Sequence, residues 1–376
     1  MRTTPCLALL ALAATASAQH LERVYNRDTH QGFNLKKVQT DTLVKGPIVK
    51  QKTFFTFDNP FTKLTEASVW FSLDWAAVLS GFAYWYKDEY VPGVLMDKNK
   101  AWFIYTAITS RNEDPGIMVQ TSPSSYHAQI YPLAVGHDLR VELDSVGFLQ
   151  AHQGELVVPQ ASFGGEVPYE RNVRSAKPET LATVGEAKTQ QTHVVLPKKD
   201  KLDLQLYAQR HRDGYTYVAG MLRTDTPNAA LQVKGLHNVL WTRPQQGDAD
   251  GSVKLFIGRR KGSGSVSIAS NDPQTKAKAA VAQRVKANER GTDTAKLWAH
   301  QKLVQGQWRK ASDVLKFSLQ YQIPSSQTAL LAVPQEQMKL FKAKEAEFRR
   351  KQAEEARRQR AWQQQRKQNW QNTRGG

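Results

Sequence analysis

The chain has 376 residues, 40% of them hydrophobic, so its length allows two domains and its composition excludes wholesale disorder. Its net charge of +18 favours anionic partners, such as acidic polysaccharide, anionic lipid, nucleic acid or acidic protein, without choosing among them. The single cysteine, Cys6, lies in a predicted signal segment. A mature chain would be cysteine-free, which excludes disulfides, thiolate metal sites and cysteine nucleophiles.

Residues 1–18 have the pattern of a secretory signal peptide. Arg2 gives a positive start, residues 6–14 are a short apolar run, and residues 16–18 are small enough for cleavage before Gln19. The apolar run is shorter than the roughly 20 residues that span a bilayer, although an uncleaved N-terminal anchor is the alternative. We therefore expect a soluble exported protein, secreted or periplasmic, with no transmembrane segment after cleavage.

From Lys52 onward, alternating residues predict β-strands. In residues 68–75 the side chains of Val69, Phe71 and Leu73 share one face, and residues 81–86 alternate in the same way. Pro92 in the next apolar run predicts a sheet edge or a bulge there.

One amphipathic helix follows these strands. Asp97 is a good N-cap, and residues 114–116, Asp-Pro-Gly, end the helix. One apolar stripe recurs at i, i+3, i+4 and i+7, namely Ala101, Ile104, Tyr105 and Ile108. Alternation resumes afterwards, so the sequence predicts one helix across an otherwise all-β layer.

The domain boundaries follow changes in composition. Residues 19–150 are predicted to form the first domain, and residues 151–196, rich in Gly, Pro, Thr, Lys and Gln, a linker that could hold one strand. Residues 197–334 are predicted to form a second β-rich domain with helices, and residues 335–376 a basic tail, helical or disordered.

Within the second domain, strands are predicted to recur from Lys198 to residue 271. Helices are predicted over 273–290 and 292–305, the second capped by Thr294 or Asp293. A last strand is predicted just before Pro334.

The tail combines helix-forming residues with a strong positive charge. Residues 338–376 contain twelve Lys or Arg and four Asp or Glu, a net charge of +8. Three pairs at i, i+4 favour a helix, namely Glu345–Arg349, Glu347–Lys351 and Glu354–Arg358. The large apolar residues hold no heptad, so a coiled coil is only weakly supported.

Interleaved Trp and basic residues in this tail could bind a polyanion by charge and stacking. A solvated helix that frays into disorder is the alternative. The candidate polyanion-binding residues are Arg349, Arg350, Lys351, Arg357, Arg358, Arg360, Trp362, Arg366, Lys367 and Trp370.

Four segments occur in a characteristic order: "FTFDNP" (55–60), a strand-rich run (66–95), "DKNKAWFIYTAITSRNEDPGIM" (97–118) and "YHAQIYPLAVGHDLRVEL" (126–143). In this order they resemble the VIT domain, the module named after the vault protein and the inter-alpha-trypsin inhibitor heavy chains. The resemblance covers residues 52–149 and implies a β-sandwich-like fold with one covering helix.

In many VIT relatives a von Willebrand A domain comes next and binds a divalent cation through Asp-x-Ser-x-Ser. The nearest sequence here is Asp250-Gly-Ser252-Val-Lys254, in which Lys replaces the second Ser and would repel the metal. Residues 255–334 resemble the segment C-terminal to that domain in secreted relatives. We infer a VIT protein without the metal-binding module, with residues 197–254 in its place and with no cofactor or metal.

Other motifs give weaker indications of chemistry. Gly262–Ser265 is predicted to be a hairpin turn, and the acidic turn 247–252 is interpreted as solvated, since the residues for a complete Ca²⁺ loop are absent.

Of His127 and His137, one is expected to be half-buried and the other exposed. No acid–base pair is evident among Glu66, Asp74, Asp88 and Glu89. Four tryptophans, at 70, 75, 85 and 102, could form a ligand platform but are more typical of core or sheet cover.

The sequence thus predicts a mainly β, non-enzymatic VIT protein that binds a protein or an acidic envelope or extracellular polymer, with nucleic acid an improbable partner. Two alternatives stay open. One is an envelope-acting hydrolase with its site within 197–334, and the other is a polyanion binder that acts through the tail.

Overall fold

The computed structural model describes residues 17–111, 115–133, 135–152, 155–175, 181–184, 191–194, 202–224, 230–242, 252–271, 278–285 and 289–374. The predicted signal segment lies outside the described residues except for its last two positions. The acidic turn 247–252 also lies outside them, apart from Ser252.

The first part of the chain consists of nine strands and the single predicted helix. The helix α1 spans Lys98–Thr109. The strands are β1 (Ser17–Asn26), β2 (Asn34–Lys45), β3 (Ile48–Asp58), β4 (Thr65–Leu73), β5 (Val78–Tyr86), β6 (Glu89–Asp97), β7 (Gly116–Gln120), β8 (Ser125–Leu133) and β9 (Leu139–Phe148).

Helix α1 forms as its sequence predicts. The Asp97 side chain accepts a hydrogen bond from the backbone N–H of Lys100 at 2.9 Å, which caps the first turn. The four residues of the apolar stripe are all buried. They pack against the sheet, and the predicted fold class, mainly β with one covering helix, is confirmed.

The predicted linker contains more strands than the one expected. They are β10 (Gln150–His152), β11 (Glu155–Val157), β12 (Gln160–Ser162), β13 (Tyr169–Ser175), β14 (Leu181–Val184) and β15 (Gln191–Val194). Composition alone indicated a loop because polar edge strands such as β13, with alternating half-buried and exposed residues, lack an apolar pattern.

In the remaining residues that the structure describes, strands β16–β23 form two further sheets, β24 belongs to the first sheet, and three α-helices and a 3₁₀ turn (Gln335–Gln337) are present. The helices are α2 (Asp293–Gln305), α3 (Ala311–Tyr321) and α4 (Met338–Arg374). The strands are β16 (Leu202–Arg210), β17 (Tyr215–Thr224), β18 (Ala230–Lys234), β19 (His237–Trp241), β20 (Val253–Lys261), β21 (Gly264–Asn271), β22 (Lys278–Val285), β23 (Glu289–Arg290) and β24 (Thr328–Ala332).

Two predictions in this part were wrong. The helix predicted over 273–290 is absent in its described residues, where β22 pairs antiparallel with β21. Its Lys, Ala and Gln favour a helix in isolation, and pairing with a formed strand overrides that weak propensity. Helix α2 exists, but its N-cap is Thr292 rather than Thr294 or Asp293, and the cap makes no side-chain hydrogen bond.

Twelve strands form one curled sheet in the order β12-β1-β4-β8-β7-β24-β6-β5-β9-β3-β2-β13. The two edge strands, β12 and β13, are joined by only residues 163–168, which span at most about 20 Å. The two edges of the sheet therefore lie close together, and the curl encloses a core. Strands from both halves of the sheet contribute to it, including Val24, Phe55, Phe71 and Tyr126.

Strand β24 joins this sheet although it lies more than two hundred residues after β7 in the chain. It pairs antiparallel with β6 on one side and with β7 on the other. Pro92 was predicted to mark an edge or a bulge, and it pairs with Ala83 of β5 on one side. On the other side, β24 ends opposite Gly93 and does not reach Pro92. The missing N–H of Pro92 thus interrupts no ladder with β24.

Two further cores join the elements. Behind β3, β5 and β9, residues such as Val78 and Val146 pack against Tyr217 of β17 and Trp298 of α2. On the outer side of β6, β24 and β7, helix α1 packs with Leu331, and the start of α4 covers it. The C-terminal helices are therefore built onto the first sheet.

Candidate polyanion-binding surface

Helix α4 consists of two parts with different surroundings. We call Met338–Phe348 the base, because its Leu340 and Phe341 pack against the core under α1. We call Arg349–Trp370 the arm, because each of its residues is exposed to solvent. At 1.5 Å per residue the arm is about 33 Å long.

Aromatic and cation–π contacts attach the base to α1. The rings of Phe348 and Phe103 have centroids 5.5 Å apart. Lys351, in the first turn of the arm, places its ammonium 4.8 Å from the Phe103 ring centroid. Sequence analysis missed Phe103 as a partner of α4, since nothing local links two helices more than two hundred residues apart.

Ion pairs complete the attachment. Lys100 of α1 binds the Glu345 carboxylate, and Arg349 binds the same carboxylate at 3.1 Å. Glu347 binds Lys344 at 2.9 Å and Lys351 at 3.0 Å. The predicted pairs Glu345–Arg349 and Glu347–Lys351 are confirmed. The third, between residues 354 and 358, is not among the ion pairs of the described residues.

These contacts lower the pKa values of both carboxyls. Lys100 is the largest cause for Glu345. The side chains of Lys344 and Lys351 lower the pKa of Glu347 to about 2. The acidic groups of α4 that have ionic partners are thus concentrated at the base, where they bind Lys344 and also Arg349 and Lys351 in the first turn of the arm.

The arm, in contrast, carries largely uncompensated positive charge. It contains eight Lys or Arg and two Glu, for a net charge of +6 over about 33 Å. All ten predicted candidate residues lie on it. They do not converge on one point, because a helix distributes them around its axis.

Two subsets of these residues do share a side of the helix. At 100° per residue, Arg349, Arg360 and Lys367 fall within about 20° of one another and form a basic line. Trp362, Arg366 and Trp370, at i, i+4 and i+8, form a second line. The Arg366 guanidinium lies 5.3 Å from the Trp362 ring centroid.

The tryptophan line continues the side that packs on α1. Trp362 and Trp370 lie about 40° to either side of Phe348 around the axis. Each tryptophan is 59% exposed. The same side of α4 is therefore buried against the protein at the base and open to a partner along the arm.

The other tryptophans considered as a platform are packed. Trp70 stacks on His127 with centroids 4.1 Å apart, beneath the Arg23 guanidinium. Trp85 packs edge-on against Tyr90, and Trp102 packs edge-on against Tyr105. Trp75, at the fourth position, is partly buried in the core behind β5. These contacts agree with the interpretation that the four tryptophans pack in the core or cover the sheet.

The two histidines behave as expected. His127 is half-buried, and burial together with Arg27 and Arg23 lowers its pKa to about 4. His137 is exposed.

Each of the four carboxylates considered for acid–base chemistry has its own partner. Glu66 accepts two hydrogen bonds from Arg27, at 2.8 and 3.1 Å, and one from the Tyr105 hydroxyl at 3.0 Å. Asp74 accepts from the Gln150 amide at 2.9 Å, and burial raises its pKa. The other two are also occupied: Asp88 pairs with Arg140, and Glu89 accepts from the backbone N–H of Gln335.

The glycine motif is a simple turn. Residues 262 and 263 connect β20 and β21, and both Gly262 and Gly264 have positive φ. The predicted turn is present, but the hairpin interpretation was wrong, because β20 and β21 belong to different sheets and each pairs with other strands. Among the residues that the structure describes, no group of three His, Cys, Asp or Glu could hold a metal ion. None of the helices described combines the length and apolarity that a membrane crossing requires.

Comparison with protein families identifies a known domain in this chain. The family model of the Vault protein inter-alpha-trypsin domain matches residues 35–144. The match begins in β2 and ends in β9, so it includes α1 and excludes β24 and the arm. No curated protein matches the chain.

Proposed function

We propose that this chain, in which residues 35–144 form a VIT domain, is an exported, non-enzymatic interaction protein whose arm attaches it to an acidic extracellular polymer. The VIT domain suggests a protein-interaction role, and VIT domains occur in extracellular proteins. The signal-like pattern of residues 1–18 supports export. Attachment through the arm rests on one observation: the arm is a charged, exposed helix, and its base is packed on α1.

Charge density supports a polyanionic ligand. Apart from Arg349 and Lys351, which have ion-pair partners at the base, six cations of the arm lie along about 33 Å. They repel one another across distances shorter than the Debye length, which is about 10 Å at 0.1 M salt. A polymer with repeated negative charges relieves this repulsion and releases its own counterions. An exported protein rarely meets nucleic acid, so acidic polysaccharide or a similar envelope polymer fits better.

The attachment of the base supports a binding role for the arm. Phe103, Lys100 and the sheet beneath α1 hold the base in a fixed direction. The arm does not bury its side chains against the rest of the protein, so its sequence contributes little to folding. A helix that begins in a fixed direction presents its charges with less loss of conformational freedom than a disordered tail would.

Retention on a heparin column tests this proposal. We compare the full chain with one that ends at Lys351, which keeps the contacts with Phe103 and Glu347. The shortened chain is expected to elute at clearly lower salt, because most of the arm's cations are gone.

A matched pair of variants removes the effect of overall charge. Arg357→Gln, Arg358→Gln and Arg360→Gln together remove three charges from the arm. Lys234→Gln, Lys261→Gln and Arg284→Gln remove three from the strands β18, β20 and β22. The first set is expected to lower the eluting salt concentration and the second to leave it nearly unchanged. Equal shifts would show that net charge alone governs retention.

A further inference from the structure

A groove with a volume of about 540 Å³ lies where the first sheet meets the C-terminal helices. The turn between β7 and β8, the facing ends of α2 and α3, and the loop before β24 form its walls. The arm lies elsewhere, so the proposed attachment to a polymer does not use this groove. Ligand sites favour such junctions between packed units.

His300 presents a buried, unsatisfied acceptor in this groove. It lines the groove and is only 2% exposed. The ring makes a hydrogen bond to the backbone of Trp75, while Nε2 has no partner among the described residues. Burial lowers the pKa of His300 to about 4, so the ring is neutral at pH 7. With the other ring nitrogen as the donor, Nε2 has a lone pair to accept a hydrogen bond.

Trp308 presents a buried, unsatisfied donor in the same groove. Its Nε1–H has no partner among the described residues. The indole is held against Phe317, with ring centroids 4.9 Å apart. Gly306 permits this placement, since a Cβ there would lie 2.9 Å from Trp308 Nε1. The donor is thus fixed in position without a partner, which costs free energy in the absence of a ligand.

The rest of the lining indicates the chemistry of the occupant. Leu303, Val304, Val314 and Pro324 supply apolar surface. Lys310 is the one charged residue among the lining residues that the structure describes. A buried acceptor and a buried donor without partners, beside apolar surface, match a peptide backbone with apolar side chains better than a charged ligand. The remaining polar lining residues are uncharged and suit the same ligand, namely Gln120, Thr121, Ser122, Ser325, Ser326 and Gln327.

We propose that this groove binds an extended peptide segment of a partner protein, whose backbone N–H donates to His300 Nε2 and whose backbone carbonyl accepts from Trp308 Nε1–H. Its apolar side chains pack on Leu303, Val304 and Val314. This deepens the proposed function, because it rests on the protein-interaction role and names the kind of partner. It does not depend on the arm.

The direct test is a titration with short blocked peptides. The probe is an equimolar mixture of tripeptides Ac-Xaa-Ala-Zaa-NH₂, in which Xaa and Zaa are Leu, Val or Phe. The readout is the indole ¹H–¹⁵N signal of Trp308, assigned by its loss in Trp308→Phe. We expect this signal to shift and saturate as the N–H gains an acceptor, and the methyl signals of Val304 and Val314 to shift with it.

Two variants and a second probe identify the hydrogen bonds. Trp308→Phe and His300→Leu each remove one orphaned group and are expected to weaken peptide binding about two- to tenfold, followed through the valine methyl signals. Trp370→Phe, on the arm, is the control and keeps full affinity. In an ester analogue, oxygen replaces the central amide N–H groups. It is expected to bind more weakly, because it cannot donate to His300 Nε2, while its carbonyl still accepts from Trp308.

Thermal unfolding of the same variants separates binding from misfolding. Neither variant should melt clearly below the native chain, since Trp308→Phe removes a donor without a partner, and His300→Leu removes an acceptor without a partner at the loss of one hydrogen bond to the Trp75 backbone. The Trp75 carbonyl still accepts from the Gln301 amide at 3.2 Å after His300→Leu. Lower melting temperatures with no peptide-induced shift would mean that ordered water satisfies both groups, which overturns the proposal.

The chain that ends at Lys351 distinguishes this proposal from the attachment role. It should bind the tripeptides with native affinity. If peptides bind but heparin retention is insensitive to the arm, the attachment role fails alone. If the Trp308 signal does not move while arm-dependent retention is present, the groove proposal fails alone.

Discussion

Two adjacent parts of the C-terminal segment, Thr328–Phe348 and Arg349–Trp370, are held in opposite ways. The inner part inserts β24 into the sheet and packs the base of α4 on α1. The outer part is exposed throughout. The difference shows that the sheet of the VIT domain is completed by β24, a strand from a distant part of the chain. The arm then extends for about 33 Å with every residue exposed to solvent.

The largest expected loss of stability is at Leu331 of β24, in the buried inner part of this segment. Its side chain is 1% exposed in the core beneath α1. Leu331→Ala is expected to lower the free energy of unfolding by about 2–5 kcal/mol, since it removes buried methyl groups and leaves a cavity. Urea denaturation followed by circular dichroism measures the loss.

The control for this variant is its direct neighbour across the ladder. Val94 of β6 is paired with Leu331 but is 58% exposed. Val94→Ala is expected to change stability by no more than about 0.5 kcal/mol. Similar losses for the two variants would mean that β24 is not buried in the sheet as described.

A smaller effect is expected from the ionic contact at the base. Glu345→Gln removes the carboxylate that binds Lys100 and Arg349. The loss in unfolding free energy at pH 7 should be at most about 1 kcal/mol, because the pair is partly solvated.

The pH dependence of this loss has a definite sign. The pKa of Glu345 is lowered in the folded protein, chiefly by Lys100, so the folded state holds its proton less tightly than the unfolded state does. Its stabilisation is therefore present above the unfolded pKa and is lost as pH falls through the folded pKa. The native chain and Glu345→Gln should converge in stability in acid, and a difference that persists there would argue against the ion pair.

Local sequence patterns were sufficient for the elements whose cues are local. Helix α1 follows from a capping Asp97 and a stripe of four apolar residues, and the pairs around Glu345 and Glu347 follow from helical spacing. Strand β22 did not follow, because its helix-favouring composition is overridden by pairing with β21. Helix α3 was not predicted either.

Contacts between distant segments could not be predicted. The last strand was recognised as a strand, but its place between β6 and β7 depends on partners in another part of the chain. The same holds for Phe103 beneath the base. His300 and Trp308 were ordinary residues in the sequence, and only the packing of α2 against α3 and the turn at 120–123 makes them orphaned neighbours of one groove.

The smallest effect on stability is expected at Trp362. This residue lies on the arm, is 59% exposed and has Arg366 over its ring. Trp362→Ala should change the free energy of unfolding by less than about 0.5 kcal/mol, since it removes little burial and only an exposed cation–π contact. Thermal unfolding measures this, while heparin retention of the same variant should fall because part of the binding surface is lost. A clear fall in melting temperature would instead place Trp362 in a buried contact and erase the distinction between base and arm.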